Sequence, residues 1–191
     1  MIRDSTDVGS VLSNVEIHDG GAGDSPALLI QAPIRLQNVR LDGNALGARI
    51  EGSGLAPTSS GLTITNTDSA PLTVEPDAIL SLPAGGSLRG NAEDRVVVEG
   101  GDYTARGTVS LLDVPYRVAG ELRMLDDSQL TIVPGTTFLM DAGVSLQIAW
   151  NTRSAAIDAV GTAAAPIVFR GVQEQPGWWV GLVVGDAVIE G

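Results

Sequence analysis

Leu12-Ser13-Asn14-Val15-Glu16-Ile17 returns as Leu36-Gln37-Asn38-Val39-Arg40-Leu41, 24 residues further on. Leu62-Thr63-Ile64 follows Val39-Arg40-Leu41 by 23 residues. Leu41-Asp42-Gly43-Asn44-Ala45 returns 47 residues later as Leu88-Arg89-Gly90-Asn91-Ala92, close to two periods. Apolar residues alternate or come in threes, and Gly, Asn, Asp or Pro punctuates them every few residues. That is the pattern of many short strands, with almost no helix signal. A period in the low twenties fits one coil of a three-sided stack: three strands of about three to five residues plus three turns. One coil cannot bury its inward Leu, Val and Ile alone. Stacking coils about 4.8 Å apart pairs their strands in parallel and closes a continuous apolar column. Asn14 and Asn38 hold the same place in successive coils. Their amides are expected to hydrogen-bond up and down a structural ladder inside a turn.

A longer duplication follows. Leu72-Thr73-Val74-Glu75-Pro76 aligns with Leu130-Thr131-Ile132-Val133-Pro134 at an offset of 58, as do Gly85, Ser87 and Leu88 with Gly143, Ser145 and Leu146. Gly90, Ala92, Val97 and Gly100 then align with Gly161, Ala163, Val168 and Gly171 at 71. The difference predicts a turn insertion of 13 residues within 147–160, a segment holding Trp150, Asn151 and Arg153.

Composition narrows the partners. The 191 residues include 43% hydrophobic and only 4% aromatic side chains, so the core is aliphatic. Eleven basic residues, all Arg, stand against 23 acidic ones, a net charge of −12. An acidic surface repels phosphate backbones and anionic lipid, so neither nucleic acid nor a membrane surface is an expected partner. No run approaches the ~18 apolar residues of a membrane span, so no membrane insertion is expected. The absence of Cys excludes disulfides and thiolate metal sites, and the single His18 excludes multi-His sites. No cofactor is expected. Met1-Ile2-Arg3-Asp4-Ser5 is not a signal peptide and reads as the interior of a longer protein.

Leu130-Thr131-Ile132-Val133-Pro134-Gly135-Thr136, then Gly161-Thr162-Ala163-Ala164-Ala165-Pro166-Ile167-Val168-Phe169, then Gly177-Trp178-Trp179-Val180-Gly181-Leu182 resembles the β-helix repeat proteins of bacterial surfaces, of the pectate-lyase-like superfold. Val114-Pro115-Tyr116-Arg117-Val118 is similar to the strand that precedes those coils. The likeness spans about Leu72 to Leu182. It implies an all-β chain, a right-handed parallel β-helix (a single-stranded β-solenoid with coils of about 22–25 residues). The whole of 1–191 reads as one such domain, a segment of a longer solenoid. It implies an extracellular or cell-surface setting. It also raises polysaccharide chemistry, which in that superfold clusters carboxylates on one parallel face.

The candidates for such chemistry read as turns. Asp126-Asp127-Ser128 and Glu93-Asp94 each precede a strand, no Lys is present to act as base, and no Asp recurs at coil spacing with an Arg partner. Asp113 is the remaining candidate. No catalytic or metal residue is therefore assigned. His18-Asp19-Gly20-Gly21-Ala22-Gly23-Asp24 nearly matches a calcium nonapeptide but occurs once, and reads as a Gly-rich turn. Thr63, Thr65 and Thr67 form a single row that adjacent coils do not repeat, which argues against ice binding. Trp178, Trp179 and Trp150 are the ligand-binding candidates. Strand alternation predicts that one of Trp178 and Trp179 points outward, where an indole can stack on a sugar or seat a protein. The expected function is a non-enzymatic structural or adhesive module. Its expected partners are the chain itself through open coil ends, the rest of a longer parent chain, or glycans. Carbohydrate binding or polysaccharide degradation is the alternative.

Overall fold

The computed structural model describes residues 9–150 and 154–185. The strands stack in seven levels, about six turns of a parallel β-solenoid. The first three levels carry two strands each: Val11–His18 (β1) with Leu28–Ile30 (β2), Arg35–Asp42 (β3) with Ala48–Ile50 (β4), and Ser60–Thr65 (β5) with Leu72–Val74 (β6). The fourth holds Gly86–Ser87 (β7), Val96–Val98 (β8) and Gly101–Tyr103 (β9). The fifth holds Arg106–Val109 (β10), Tyr116–Val118 (β11) and Leu122–Met124 (β12). Ser128–Ile132 (β13), Thr137–Met140 (β14) and Ser145–Ile148 (β15) follow, then Ala155–Ala159 (β16), Val168–Gly171 (β17) and Gly181–Val184 (β18).

Every pairing between these strands is parallel. One sheet runs the full height in the order β2-β4-β6-β8-β11-β14-β17. The lower levels add β1-β3-β5-β7, and the upper levels add β9-β12-β15-β18 and β10-β13-β16. The coil therefore changes outline half-way up. The change happens at Pro76, which lacks an N–H and fixes its own φ, and at the 3-10 turn Asp77–Ser81 behind it. Asp77 Oδ1 accepts the N–H groups of Thr104 (2.9 Å) and Ala105 (3.1 Å), seating β10 above that turn. Over β7 the sheet ends, and the loop before β11 takes its place: Asp113 accepts Ser87 Oγ at 2.8 Å and the Leu88 N–H at 3.1 Å.

The register corrects one inference from the repeats. Leu72-Thr73-Val74 lies in the seven-stranded sheet, whereas its sequence match Leu130-Thr131-Ile132 lies in β13, on another face. Every face needs the same thing, an apolar-polar-apolar triplet and then a turn, so a similar motif serves different faces. The true column is Leu28, Ala48, Leu72, Val96, Tyr116, Phe138, Phe169, with steps of 20 to 24 residues and then one of 31. The extra residues of the last level are not one turn insertion at 147–160. Gln147 and Ile148 end β15, and Ala155–Ala159 is a strand paired with β13. Asn151 and Arg153 lie outside the described residues. Added length also falls between β17 and β18: Phe169 to Leu182 spans thirteen residues, against eight from Phe138 to Leu146.

Inward positions of the middle levels are sealed. Leu36, Val39, Leu41, Ile50, Ile64, Val74, Val96 and Val98 are fully buried, each such side chain contributing on the order of 1.5–3 kcal/mol. Tyr116, Phe138 and Phe169 stack as an internal aromatic column, with centroids 5.4 and 5.1 Å apart.

Two turn amides tie levels together, one buried (Asn44) and one half-buried (Asn91). Asn44 accepts the Gly20 N–H at 2.8 Å and donates to the Ile17 carbonyl at 3.0 Å, one level below. Asn91 does the same to Thr67 N–H (3.1 Å) and Ile64 C=O (2.9 Å). Replacing either leaves backbone groups unpaired inside a turn, at a cost of about 1–3 kcal/mol. Asn91→Ala should lower the unfolding free energy from urea titration by that amount, while the exposed Asn14→Ala should cost less than about 0.5 kcal/mol. Equal losses from the two variants would contradict this assignment of the ladder.

Candidate functional site

Asn14 and Asn38 do meet, but not inside a turn. Asn38 Nδ2 donates to Asn14 Oδ1 at 3.2 Å, and both side chains are exposed. Their φ values, 54° and 51°, are left-handed. That lets two residues fit between inward apolar positions where strand alternation allows one, a bulge repeated from level to level. Gly61 continues the column at φ 67°, and a Cβ there would sit 2.7 Å from Asn38 Oδ1.

The sheet outside this column carries a polar network. Asp42 Oδ1 accepts Asn66 Nδ2 (2.8 Å) and Thr65 Oγ1 (2.9 Å), and Arg40 lies 3.3 Å from Oδ2. His18 contacts Glu16 at 3.1 Å and the Asp42 carbonyl at 3.1 Å. Glu16 above all raises the His18 imidazole from its ordinary value. The Gly-rich turn after His18 closes as a tight hairpin, Ala22 and Ser25 exchanging two backbone hydrogen bonds of 3.1 Å. Of the threonine row, Thr67 turns inward and is buried.

A second constellation escaped the sequence reading. Gln31, Glu51, Glu75 and Glu99 each follow a strand of the long sheet. The three Glu N–H groups bond the strand-end carbonyls of the level beneath, Ile30, Ile50 and Val74. Three carboxylates stacked at strand spacing would repel. Arg49 resolves this by clamping two of them: its Nε donates to Glu51 at 2.7 Å, and its two terminal nitrogens grip Glu99 at 2.6 and 2.7 Å. Gln31 donates to Glu51 at 2.7 Å, and Glu75 takes the Gly52 N–H at 2.7 Å. Higher on the same face Arg117 holds Asp141 through two bonds of 2.8 and 2.7 Å and lies 3.6 Å from Glu93. A recurring acid with an Arg partner therefore exists among the Glu residues, whereas the sequence reading asked only about Asp. Glu51, Glu75 and Glu99 are 24 residues apart, a signal that the sequence carries openly. Arg49 first, and Gln31 next, hold the Glu51 carboxyl below its ordinary range. A carboxylate so held stays ionised and is a poor general acid.

The other acids are held by their own turns. Asp94 accepts the Asn91 N–H at 2.9 Å, Glu93 pairs with Arg95 at 2.9 Å, and Asp126 and Asp127 have left-handed φ of 58° and 60°. No group of three or more acidic or His side chains is placed to hold a metal among the described residues.

Trp178 and Trp179 are not on a strand. They lie in the connection between β17 and β18, and both are half-buried. Strand alternation therefore does not decide which points outward. The connection is anchored where Trp178 C=O accepts the Gly143 N–H at 2.8 Å, and Trp179 packs on the core. Trp178 lies against Gly171, its Nε1 buried without a hydrogen-bond partner. Trp150 is half-buried just past β15. The structure does not bring Trp150 onto the face where Arg49, Glu51 and Glu99 converge. A groove of about 330 Å³ runs along the upper levels instead, lined by Arg89, Leu111, Asp113, Thr137 and Arg170 among others.

Residues 101–191 match the model of a family described as pectate-lyase like beta helix domain. The upper levels of the stack are thus similar to that family, over just under half of the chain. The match begins at β9, where the coil gains its third paired strand. No curated protein and no solved structure matches the chain.

Asp42 supplies a pH test on the lower half. Hydrogen bonds from Asn66 and then Thr65, with Arg40 nearby, hold its carboxyl below the ordinary carboxylate value. A depressed folded-state value contributes stability that is present above the unfolded pKa of about 3.9 and lost as pH falls through the folded value. The gap in urea midpoint between wild type and Asp42→Asn should hold constant above about pH 5 and narrow below pH 4. A gap that does not change down to pH 2 would contradict the network.

Proposed function

We propose that this chain is a structural module: a rigid, acidic β-solenoid of a secreted or cell-surface bacterial protein, working by spacing, display or adhesion. One observation carries the reading. Leu182 is in register with Leu146 and Val184 with Ile148. The lower pair is 3% exposed at each position, while Leu182 is 45% and Val184 75% exposed. The last described level thus presents core side chains and unpaired strand edges, the surface on which a further coil stacks.

Light scattering behind a sizing column, across a concentration series, tests this. The mass of the wild type should rise with concentration, and Leu182→Asp/Val184→Asp should remain a monomer. A compact wild-type monomer at every concentration would overturn the associating module.

Carbohydrate recognition is the second reading, and the groove between Arg89 and Arg170 is what favours it. Both side chains are exposed, each with one carboxylate nearby (Asp113 at 3.8 Å from Arg89, Glu174 at 3.5 Å from Arg170), in a chain that is otherwise strongly acidic. Binding in an acidic-glycan screen that is lost in Arg89→Ala/Arg170→Ala would support it. No binding would remove it.

A further inference from the structure

One inward column is broken half-way up the stack. Val15 is in register with Val39, Val39 with Leu62, and Leu62 with Gly86. The position that three levels fill with an apolar side chain is therefore bare on the fourth. Backbone geometry keeps it bare: Gly86 has φ 89°, and a Cβ there would fall 2.0 Å from the Leu62 carbonyl oxygen. Gly85 beside it adds no side chain either. The loop between β10 and β11 crosses above β7 without filling the gap, and its Leu111 stays 52% exposed at the rim. The result is a pocket of about 170 Å³, lined by six leucines and open to the surface. Its floor is Leu62, Leu72 and Leu82, all buried core residues. The pocket lies in the middle of the stack, away from both ends.

The polar groups gather at the rim. Ser87 and Asp113 line it, and both are engaged: Asp113 accepts Ser87 Oγ at 2.8 Å and the Leu88 N–H at 3.1 Å. Leu111 and Asp113 also line the neighbouring groove, where Arg89 joins them. The Arg89 side chain is 67% exposed, and its Nε lies 3.8 Å from Asp113, too far for a hydrogen bond. Arg89 thus brings a cation with uncommitted donors to the mouth of an apolar pocket.

We propose that this pocket binds a small amphiphilic acid, with an aromatic ring or short branched chain on the leucine floor and a carboxylate at Arg89. Size sets the apolar part. A cavity of about 150 Å³ lined by aliphatic side chains stays dry and takes up benzene, so this one holds a single ring and no stretch of polypeptide. The walls set the polarity. Leucine side chains offer nothing to the hydroxyls of a sugar, whose burial there would cost hydrogen bonds with water. Arg89 sets the charge, because a planar guanidinium takes a carboxylate through two parallel bonds. A ring in the pocket also gives the exposed Leu111 something to cover. The site is separate from the glycan groove and independent of any association between chains.

The test is a titration of the full chain, carrying ¹³C-labelled Leu and Val methyls, with 3-phenylpropionate and with the uncharged 3-phenylpropanol. The acid should shift the Leu62, Leu72 and Leu111 methyl resonances with a dissociation constant of about a millimolar, the range for a ligand of this size. The alcohol should shift the same methyls and bind about tenfold more weakly. Arg89→Ala should weaken the acid about tenfold and leave the alcohol unchanged. Leu111→Ala should weaken both, and since Arg89 and Leu111 are exposed, both variants should fold. Equal binding of acid and alcohol, or acid binding unaltered in Arg89→Ala, would overturn the proposed ligand class. Shifts confined to the Leu182 and Val184 methyls would place the ring on the last level and overturn the pocket. No methyl shift with about 20 mM acid, far above the expected constant, would overturn the proposal outright.

Discussion

The inward side chains of the described levels pack across the interior against those of the other faces, and each column of them is closed above and below by the neighbouring levels. Stacking in parallel register is therefore the interaction on which the rest depends. A core of this kind has no centre. Leu146 and Ile148 are buried because Leu182 and Val184 lie over them, and Leu182 and Val184 are exposed because no described strand lies over theirs. Burial is a property of position in the stack rather than of residue type. The same logic makes solenoid stability a sum of coil and neighbour terms.

Parallel register also creates problems that the side chains answer. Whatever lies outside one level recurs outside the next, so like groups line up at strand spacing. Glu51, Glu75 and Glu99 form such a row. Arg49 reaches past one level to bind the first and third, while Glu75 is satisfied by a backbone N–H. Arg117 and Asp141 repeat the device higher up. These arginines are committed to holding carboxylates apart, and this accounts for a dense acidic face that does not resemble an acid-base pair. Gly47 shows the same constraint in the backbone: a Cβ there would fall 2.0 Å from the Pro71 carbonyl oxygen of the next level, so only a glycine fits.

Repetition made the fold legible. The 24-residue return of Leu12 to Ile17 at Leu36 to Leu41 is the register of β1 with β3. What the sequence hid was which face a motif occupies. Leu72-Thr73-Val74 and Leu130-Thr131-Ile132 look alike because all faces ask for the same triplet, yet they lie in different sheets. The same ambiguity concentrated the extra residues of the last level into one insertion, where the structure spreads them over several turns. Of the site residues, the Asn14–Asn38 contact was readable from spacing. The Arg49 clamp was not, because it joins residues 50 apart across an intervening level. Trp178 and Trp179 were misplaced for a local reason: a Gly-Trp-Trp-Val run has the composition of a strand but occupies a turn.

Native-state hydrogen exchange along the seven-stranded sheet tests the central claim most directly. If cover by the next level sets stability, amides of β6, β8 and β11 should exchange slowest, and those of β17 fastest among its upper strands, at concentrations too low for association. Uniform protection from β2 to β17 would contradict it, because the stack would then unfold as one unit regardless of what covers its ends.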